Sequence, residues 1–331
     1  MDYLICPESD NQSGLHLVRP LATKSVAKAG RNKTQKSAHL TARFAVRSLY
    51  AELVLYPKPG LVSLRDNGSH TDMNATTFLR SLFSLRHYFC KMVIAGSGNA
   101  NFHVLKQLGI TAEKQMLHAT NGVNTHRGAI FCLGLLCAAV GRCLALCLPV
   151  NANNIRTELV LSWGEELTAH SSVALSNVAD IANAETVSPD HAISHGLQVA
   201  QNYAISGARE EAALGFPSVF ELALPRLLQS LEQGRSTTQA QIDSIFTLMA
   251  QMHDTNLYYR GGAAAAQFSR LWAHQFLADG GTAQPDWLMQ AEACHQAFVL
   301  RRLSPGGAAD LLAATWFIYQ LQSAQCDFTY A

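Results

Sequence analysis

Apolar side chains recur at helical spacing along most of the chain. Phe78, Leu82, Leu85, Phe89 and Met92 fall four, three, four and three residues apart, which draws one stripe down a helix. Arg80, Ser84, His87 and Lys91 fall off that stripe. Ile242, Ile245, Phe246, Met249 and Met252 repeat the pattern, and Leu311, Leu312, Thr315, Trp316 and Tyr319 mark a last helix. No stretch alternates with period two, and no strand alternates with a helix. The pattern predicts an all-α fold, with a single large helical domain over residues 38–331. Residues 1–37 read differently. Arg19, Lys24, Lys28, Arg31, Lys33 and Lys36 occur with no acid among them and without apolar periodicity. This segment is expected to be a disordered or loosely attached basic tail.

The run from Ala129 to Leu148 is long and apolar enough to test as a membrane span. Arg142 inside it, two glycines and four cysteines argue instead for a helix buried at the centre of a soluble core. The opening residues lack an apolar stretch behind a basic start, so no secretory leader is expected. Composition agrees with this picture. A chain of 331 residues, 48% hydrophobic and 15% charged, has much buried helix and little solvated face. Its formal net charge of +1 gives no global pull toward nucleic acid or a membrane surface. Eight cysteines include no Cys-x-x-Cys pair, and Cys132, Cys137, Cys143 and Cys147 share the apolar run. They read as core thiols of a reducing, cytoplasmic compartment rather than as disulfides or structural zinc ligands. His191 and His195 share a helical spacing but have no acid between them, and read as ordinary surface or core histidines.

Between the helices lie polar junctions rich in Gly, Pro, Asn, Asp and His, where a rigid scaffold usually carries its binding groups. The first, Pro57-Lys58-Pro59-Gly60, follows a helix that includes Glu52. Its prolines stop the helix and aim Lys58, either as a point charge for phosphate or as a solvated lysine on a rigid terminator. The second runs from Asp66 to Asn74 and contains Ser69, His70 and Asp72. Asn74 or Asp72 suits a helix N-cap, and His70 with Asp72 suits a cation or a ribose hydroxyl. The third, Asn121 to Gly128, opens the apolar helix with Asn124, Thr125, His126 and Arg127. A helix N-terminus favours anions, Arg127 can grip phosphate, and His126 is expected to be neutral there. The fourth, Gly207-Ala208-Arg209-Glu210-Glu211-Ala212, is either a solvated turn or a source of a catalytic carboxylate. The fifth holds Asp254 and Asn256, which suit magnesium, and Arg260, which suits phosphate. The last, Ser304 to Asp310, has Gly306 and Gly307, which admit close backbone approach. There is no P-loop, dinucleotide fingerprint, zinc-protease motif or nucleophile elbow.

Taken in order, PKPGLVS, NGSHTDM, GVNTHRGAIF, GAREEAALGFP, HDTNLYYRGG and LSPGGAADLLA resemble the triphosphoribosyl-dephospho-CoA synthase family from Pro57 to Ala313. The intervening stretch Ser81 to Phe89 is more similar to the branch associated with malonate decarboxylase than to the citrate lyase branch. The resemblance implies a transferase that joins ATP, as a substrate, to 3′-dephospho-CoA. The ribosyl 2′-hydroxyl attacks the anomeric carbon of the ATP ribose, adenine leaves and the triphosphate stays. The linkage turns from β to α, so one inverting displacement is the simplest route. The product would pass to a holo-acyl-carrier-protein synthase and the acyl carrier subunit. No nucleic-acid or membrane partner is implied, and a homodimer is compatible.

In that frame Glu211 or Asp254 is the expected base, and His126 a positioning group or acid. Lys58, Arg127, Arg209 and Arg260 would meet the phosphates, with Ser69, His70, Asn124, Thr125, Asn256, Gly306 and Gly307 as further binding residues. Glu52, Asp72 and Asp254 are the candidate ligands of Mg2+. Lys58→Met is expected to raise the substrate requirement more than it harms folding. A magnesium-dependent hydrolase of an N-glycosidic or ADP-ribosyl bond, in an all-helical fold, is the alternative.

Overall fold

A computed structural model describes residues 22–181 and 207–324, which form helices and connecting turns with no strand among the described residues. In chain order the α-helices are α1 (Ala22–Val54), α2 (Ala75–Ser84), α3 (Arg86–Ser97), α4 (Phe102–Ala119), α5 (Arg127–Ala145), α6 (Ala152–Ile181) and α7 (Ala208–Ala213). A π-helical turn, Ser218–Ala223, leads into α8 (Leu224–Glu232), followed by α9 (Thr237–Gln251), α10 (Thr255–Ala278), α11 (Trp287–Leu300) and α12 (Gly306–Ser323). His191 and His195 lie outside the described residues.

The predicted stripes face the core. Leu82, Leu85, Phe89 and Met92 are buried, but they lie on two helices, because the chain breaks at Leu85 between α2 and α3. Asn74 is the N-cap of α2, and its side chain and that of Thr77 exchange capping bonds with the backbone. Helix α1 begins at Ala22, within the stretch expected to be a tail, and its described side chains become enclosed at Ser37 and Ala38.

Helix α5 is the predicted central helix. It passes the length and apolarity test for a membrane span, yet most of its surface is buried against α1, α3, α4, α6 and α12. Cys132, Cys137 and Cys143 are buried free thiols. Cys147 departs from the expectation and is exposed, because α5 ends at Ala145 and the chain turns there with φ 55° at Cys147. The second half of the fold is pinned at the fully buried Asp243 of α9. Its carboxylate accepts from Ser230 Oγ at 2.7 Å and from Thr282 N and Oγ1, both at 2.9 Å, and pairs with Arg235.

Two glycines let α3 and α5 touch backbone to backbone. A methyl group on Gly96 would stand 1.9 Å from the Ala138 carbonyl oxygen, and one on Gly141 would stand 2.1 Å from that of Val93. Neither helix can yield without moving its neighbours. Gly96→Ala is therefore expected to cost about 3 kcal/mol, the upper part of the usual range for overpacking. Gly98→Ala is the control: its methyl would meet nothing closer than 3.5 Å, and φ there is −82°. Urea unfolding of the two variants should separate them, with Gly98→Ala at or slightly above the parent stability.

Candidate active site

The polar junctions meet at one end of the bundle. A cavity of about 190 Å³ is lined by Gly128, Glu211, Phe216, His253, Gly307 and Asp310, among others. The third, fourth, fifth and last junctions thus share one hollow, although up to 182 positions separate their residues (128 to 310). Glu211, on α7, accepts a hydrogen bond from Ser218 N at 2.7 Å. Burial raises its carboxyl above the usual carboxylate range, and the Ser218 N–H opposes that rise. A larger open groove, about 790 Å³, runs between α1, α3 and α4, but it contains none of the candidate residues.

Asp254 is buried beside this cavity at the N-terminus of α10. One carboxylate oxygen accepts from Asn256 N at 2.9 Å and the other from Ala308 N at 3.0 Å. It therefore caps α10 and ties that helix to the start of α12. Gly307 packs closely here, since a methyl group on it would lie 3.1 Å from the Asp254 carboxyl carbon. Gly306 similarly faces Asn256. Burial raises the Asp254 carboxyl, against the N–H groups that favour its charged form.

Behind these residues lies an enclosed charge pair. Lys58 is fully buried, and its ammonium binds the Glu52 carboxylate and, at 2.5 Å, the Glu52 carbonyl oxygen at the end of α1. Burial pulls the Lys58 ammonium below its usual range, and Glu52 holds it up. His126 is also buried. Its Nδ1 lies 2.6 Å from Ser81 Oγ, which in turn accepts from Thr125 Oγ1 at 2.7 Å. That leaves the Ser81 proton for Nδ1 and the ring proton on Nε2, which is buried without a protein partner. Burial, and then the charge of Lys58, lower His126 to about 3, so its ring is neutral at physiological pH.

The first, second and last junctions clamp together. Gly60 has φ 67°, and a methyl group there would come within 2.0 Å of the Leu303 carbonyl oxygen, so only glycine fits. Ser69 Oγ donates to that same oxygen at 2.5 Å. His70 Nε2 reaches Ser304 Oγ at 2.9 Å, and Arg260 Nη2 reaches His70 Nδ1 at 3.3 Å. Burial and the adjacent Arg260 push the His70 imidazole below its usual range. Arg260 Nη1 also donates to the Arg302 carbonyl at 3.1 Å.

Other candidates stand apart. Arg127 is exposed and paired with Glu113 of α4, while Asn124 Oδ1 accepts from Arg127 N at 3.2 Å. Arg209 is half-buried at the start of α7. Glu52, Asp72 and Asp254 are not brought together. Glu52 is held by Lys58, Asp72 is exposed beside His70, and both Asp254 oxygens are bonded to backbone. Among the described residues no group of three or more His, Cys, Asp or Glu side chains is arranged to hold a metal ion.

Comparison with known proteins decides the family. The family model described as ATP:dephospho-CoA triphosphoribosyl transferase matches residues 38–328. The chain belongs to this triphosphoribosyl-dephospho-CoA synthase family. Relatives share this breadth. A protein of Acinetobacter calcoaceticus is 38% identical over 83% of this chain and 88% of its own length. One from Vibrio cholerae serotype O1 (strain M66-2) is 36% identical over 93% of this chain and 96% of its own. One from Salmonella choleraesuis is 38% identical over 82% and 87%. The first two are named "Probable 2-(5''-triphosphoribosyl)-3'-dephosphocoenzyme-A synthase". No solved structure matches the chain.

In this synthase-family chain the structure adds one residue to the candidates, Asp310. Sequence reasoning placed it in the first turn of α12 and gave it no role. Asp310 lines the cavity, and a methyl group on Gly128 would stand 2.0 Å from its Oδ2. The signal was present in the matched motif LSPGGAADLLA, which ends just beyond it. A lone Asp near the start of a helix reads equally well as a favourable dipole partner, and only the fold shows that it lines the cavity.

Proposed function

We propose that the chain joins ATP to 3′-dephospho-CoA, giving 2′-(5″-triphosphoribosyl)-3′-dephospho-CoA and free adenine by a single inverting displacement. The observation that carries this reading is the cavity, a hollow to which four of the six matched motifs contribute, with Glu211 on its wall. A displacement at an anomeric carbon needs a carboxylate near the reacting centre, both to take the proton of the attacking hydroxyl and to stabilise a cationic ribose. Glu211 is the base in this reading, because the Asp254 oxygens are already committed to backbone N–H groups. His126, neutral and held by Ser81, positions; it does not donate as an imidazolium. Arg209, Arg260 and, on leaving Glu113, Arg127 meet the phosphates with Ser69, His70, Asn124, Thr125, Asn256 and the backbone at Gly306 and Gly307. Lys58 contributes its charge from behind the site.

The side chains present do not form a dedicated magnesium cage. The metal belongs in this reading to the substrate, ATP entering as its magnesium salt, with the phosphates supplying most ligands. No step is assigned to the ion. The product is the precursor of an acyl carrier prosthetic group, passed in the cytoplasm to a holo-acyl-carrier-protein synthase and then to the acyl carrier subunit of a malonate decarboxylase.

Mass spectrometry of the protein with ATP, magnesium and dephospho-CoA tests the reaction. The expected result is adenine and the joined product in equal amounts, both absent when dephospho-CoA is omitted. Rapid adenine release from ATP alone would replace the synthase by the hydrolase reading.

A further inference from the structure

We propose that Asp310 is the proton donor to the departing adenine, the acid partner of Glu211 across one reacting ribose. This role rests on the reaction proposed above. The 2′-oxygen of dephospho-CoA bonds to the anomeric carbon and its proton passes to the Glu211 carboxylate. The bond to adenine N9 breaks, and the Asp310 carboxyl proton passes to a ring nitrogen of adenine, so that the base leaves neutral. Glu211 ends protonated and Asp310 ionised, and exchange with solvent resets both.

The geometry selects Asp310 from the groups available. Among the described residues, it and Glu211 are the two carboxyl groups that line the cavity. They come from α12 and α7, elements far apart in sequence, so the fold has brought two carboxyls to one hollow. The other titratable groups are engaged elsewhere. Asp254 has both oxygens on backbone N–H groups. His253 lines the cavity, but its Nδ1 is 2.8 Å from Arg270 Nη2, and burial and that guanidinium lower its affinity for a proton. Cys132 is a buried thiol whose proton burial holds firmly.

The surroundings favour a proton on Asp310. Burial raises its carboxyl well above the usual range, and the Glu52 carboxylate of α1 and Asp254 at the start of α10 raise it further. A single N–H, that of Ala129 on α5, opposes them. Lys58, the buried ammonium beside Glu52, is already taken by that carboxylate. Burial raises both carboxyls, but Asp310 is raised well above its usual range and is further crowded by other acids, which pushes the pair toward different protonation states.

The test is turnover of the full-length protein against pH, with ATP and with a ribose 5-triphosphate carrying 4-nitrophenolate in place of adenine. Nitrophenolate leaves without a proton. Wild-type turnover of ATP should fall on the alkaline side as Asp310 ionises, and turnover of the nitrophenyl compound should not. Asp310→Asn should lose about 10²–10⁴-fold with ATP, the usual worth of a positioned acid, and less than about tenfold with the nitrophenyl compound. An equal loss on both substrates marks a structural role and overturns the proposal. So does an alkaline limb that survives in Asp310→Asn. The wild-type contrast between the two substrates stands even if the variant folds poorly. Failure of the wild type to form any joined product overturns the reaction itself, a result that the product analysis distinguishes from loss of the acid alone.

Discussion

Glu52→Gln and Lys58→Met should each lower stability by about 3–5 kcal/mol, the usual cost of stripping one partner from a buried ion pair. The physical reason is the enclosure. Lys58 has no exposed surface, and Glu52 has almost none, so neither can turn to water when the other is removed. In Lys58→Met the Glu52 carbonyl at the end of α1 also loses its bond from the ammonium and keeps only a 3.3 Å contact from Leu55 N. Replacing both residues by apolar ones, Glu52→Leu with Lys58→Met, should cost less than either single change, because no charge is then left in the interior. Urea unfolding of the three variants checks this, and a double variant weaker than both singles would refute it. The result reverses the order of effects expected from the sequence, in which Lys58→Met weakens substrate use more than folding.

Glu211→Gln should cut turnover by about 10²–10⁴-fold while leaving the fold intact. Glutamine keeps an oxygen to accept from Ser218 N, so the turn after α7 is preserved, but it cannot take a proton from the attacking hydroxyl. The pH dependence follows from the direction of the shift. A base works only when ionised, so turnover falls as pH drops through the Glu211 pKa. Burial moves that pKa upward, and the acid limb should therefore lie above the range of an ordinary carboxylate. Steady-state turnover against pH, with a thermal melt as the folding control, measures both effects. A variant that keeps near-normal turnover would remove Glu211 from the mechanism.

The two carboxylates that looked interchangeable in the sequence separate once their neighbours are known. Asp254 and Glu211 both follow short polar stretches, and either suits a base. Which carboxylate is spent on helix ends depends on the Ala308 N–H, 54 positions further along the chain. Local spacing carries no information about such a partner. Likewise the Pro57-Lys58-Pro59-Gly60 turn declared a rigid helix stop, which the structure has. That the lysine turns inward to Glu52 depends on how the turn packs beneath Leu303 and His295.

What the sequence determined by itself was the helical class, the buried stripes, the central position of α5 and the family. Each follows from a periodic or ordered pattern that is complete along the chain: an apolar face must be covered wherever it is formed, and six motifs in order are legible without coordinates. What only the tertiary structure decided was the assignment of charge. It enclosed Lys58 with Glu52, turned Arg127 to Glu113, left Asp72 in solvent and brought Asp310 to the cavity with Glu211. The reason is that a charged group's role depends on the dielectric and the partners around it, and in this bundle those partners come from helices remote in sequence.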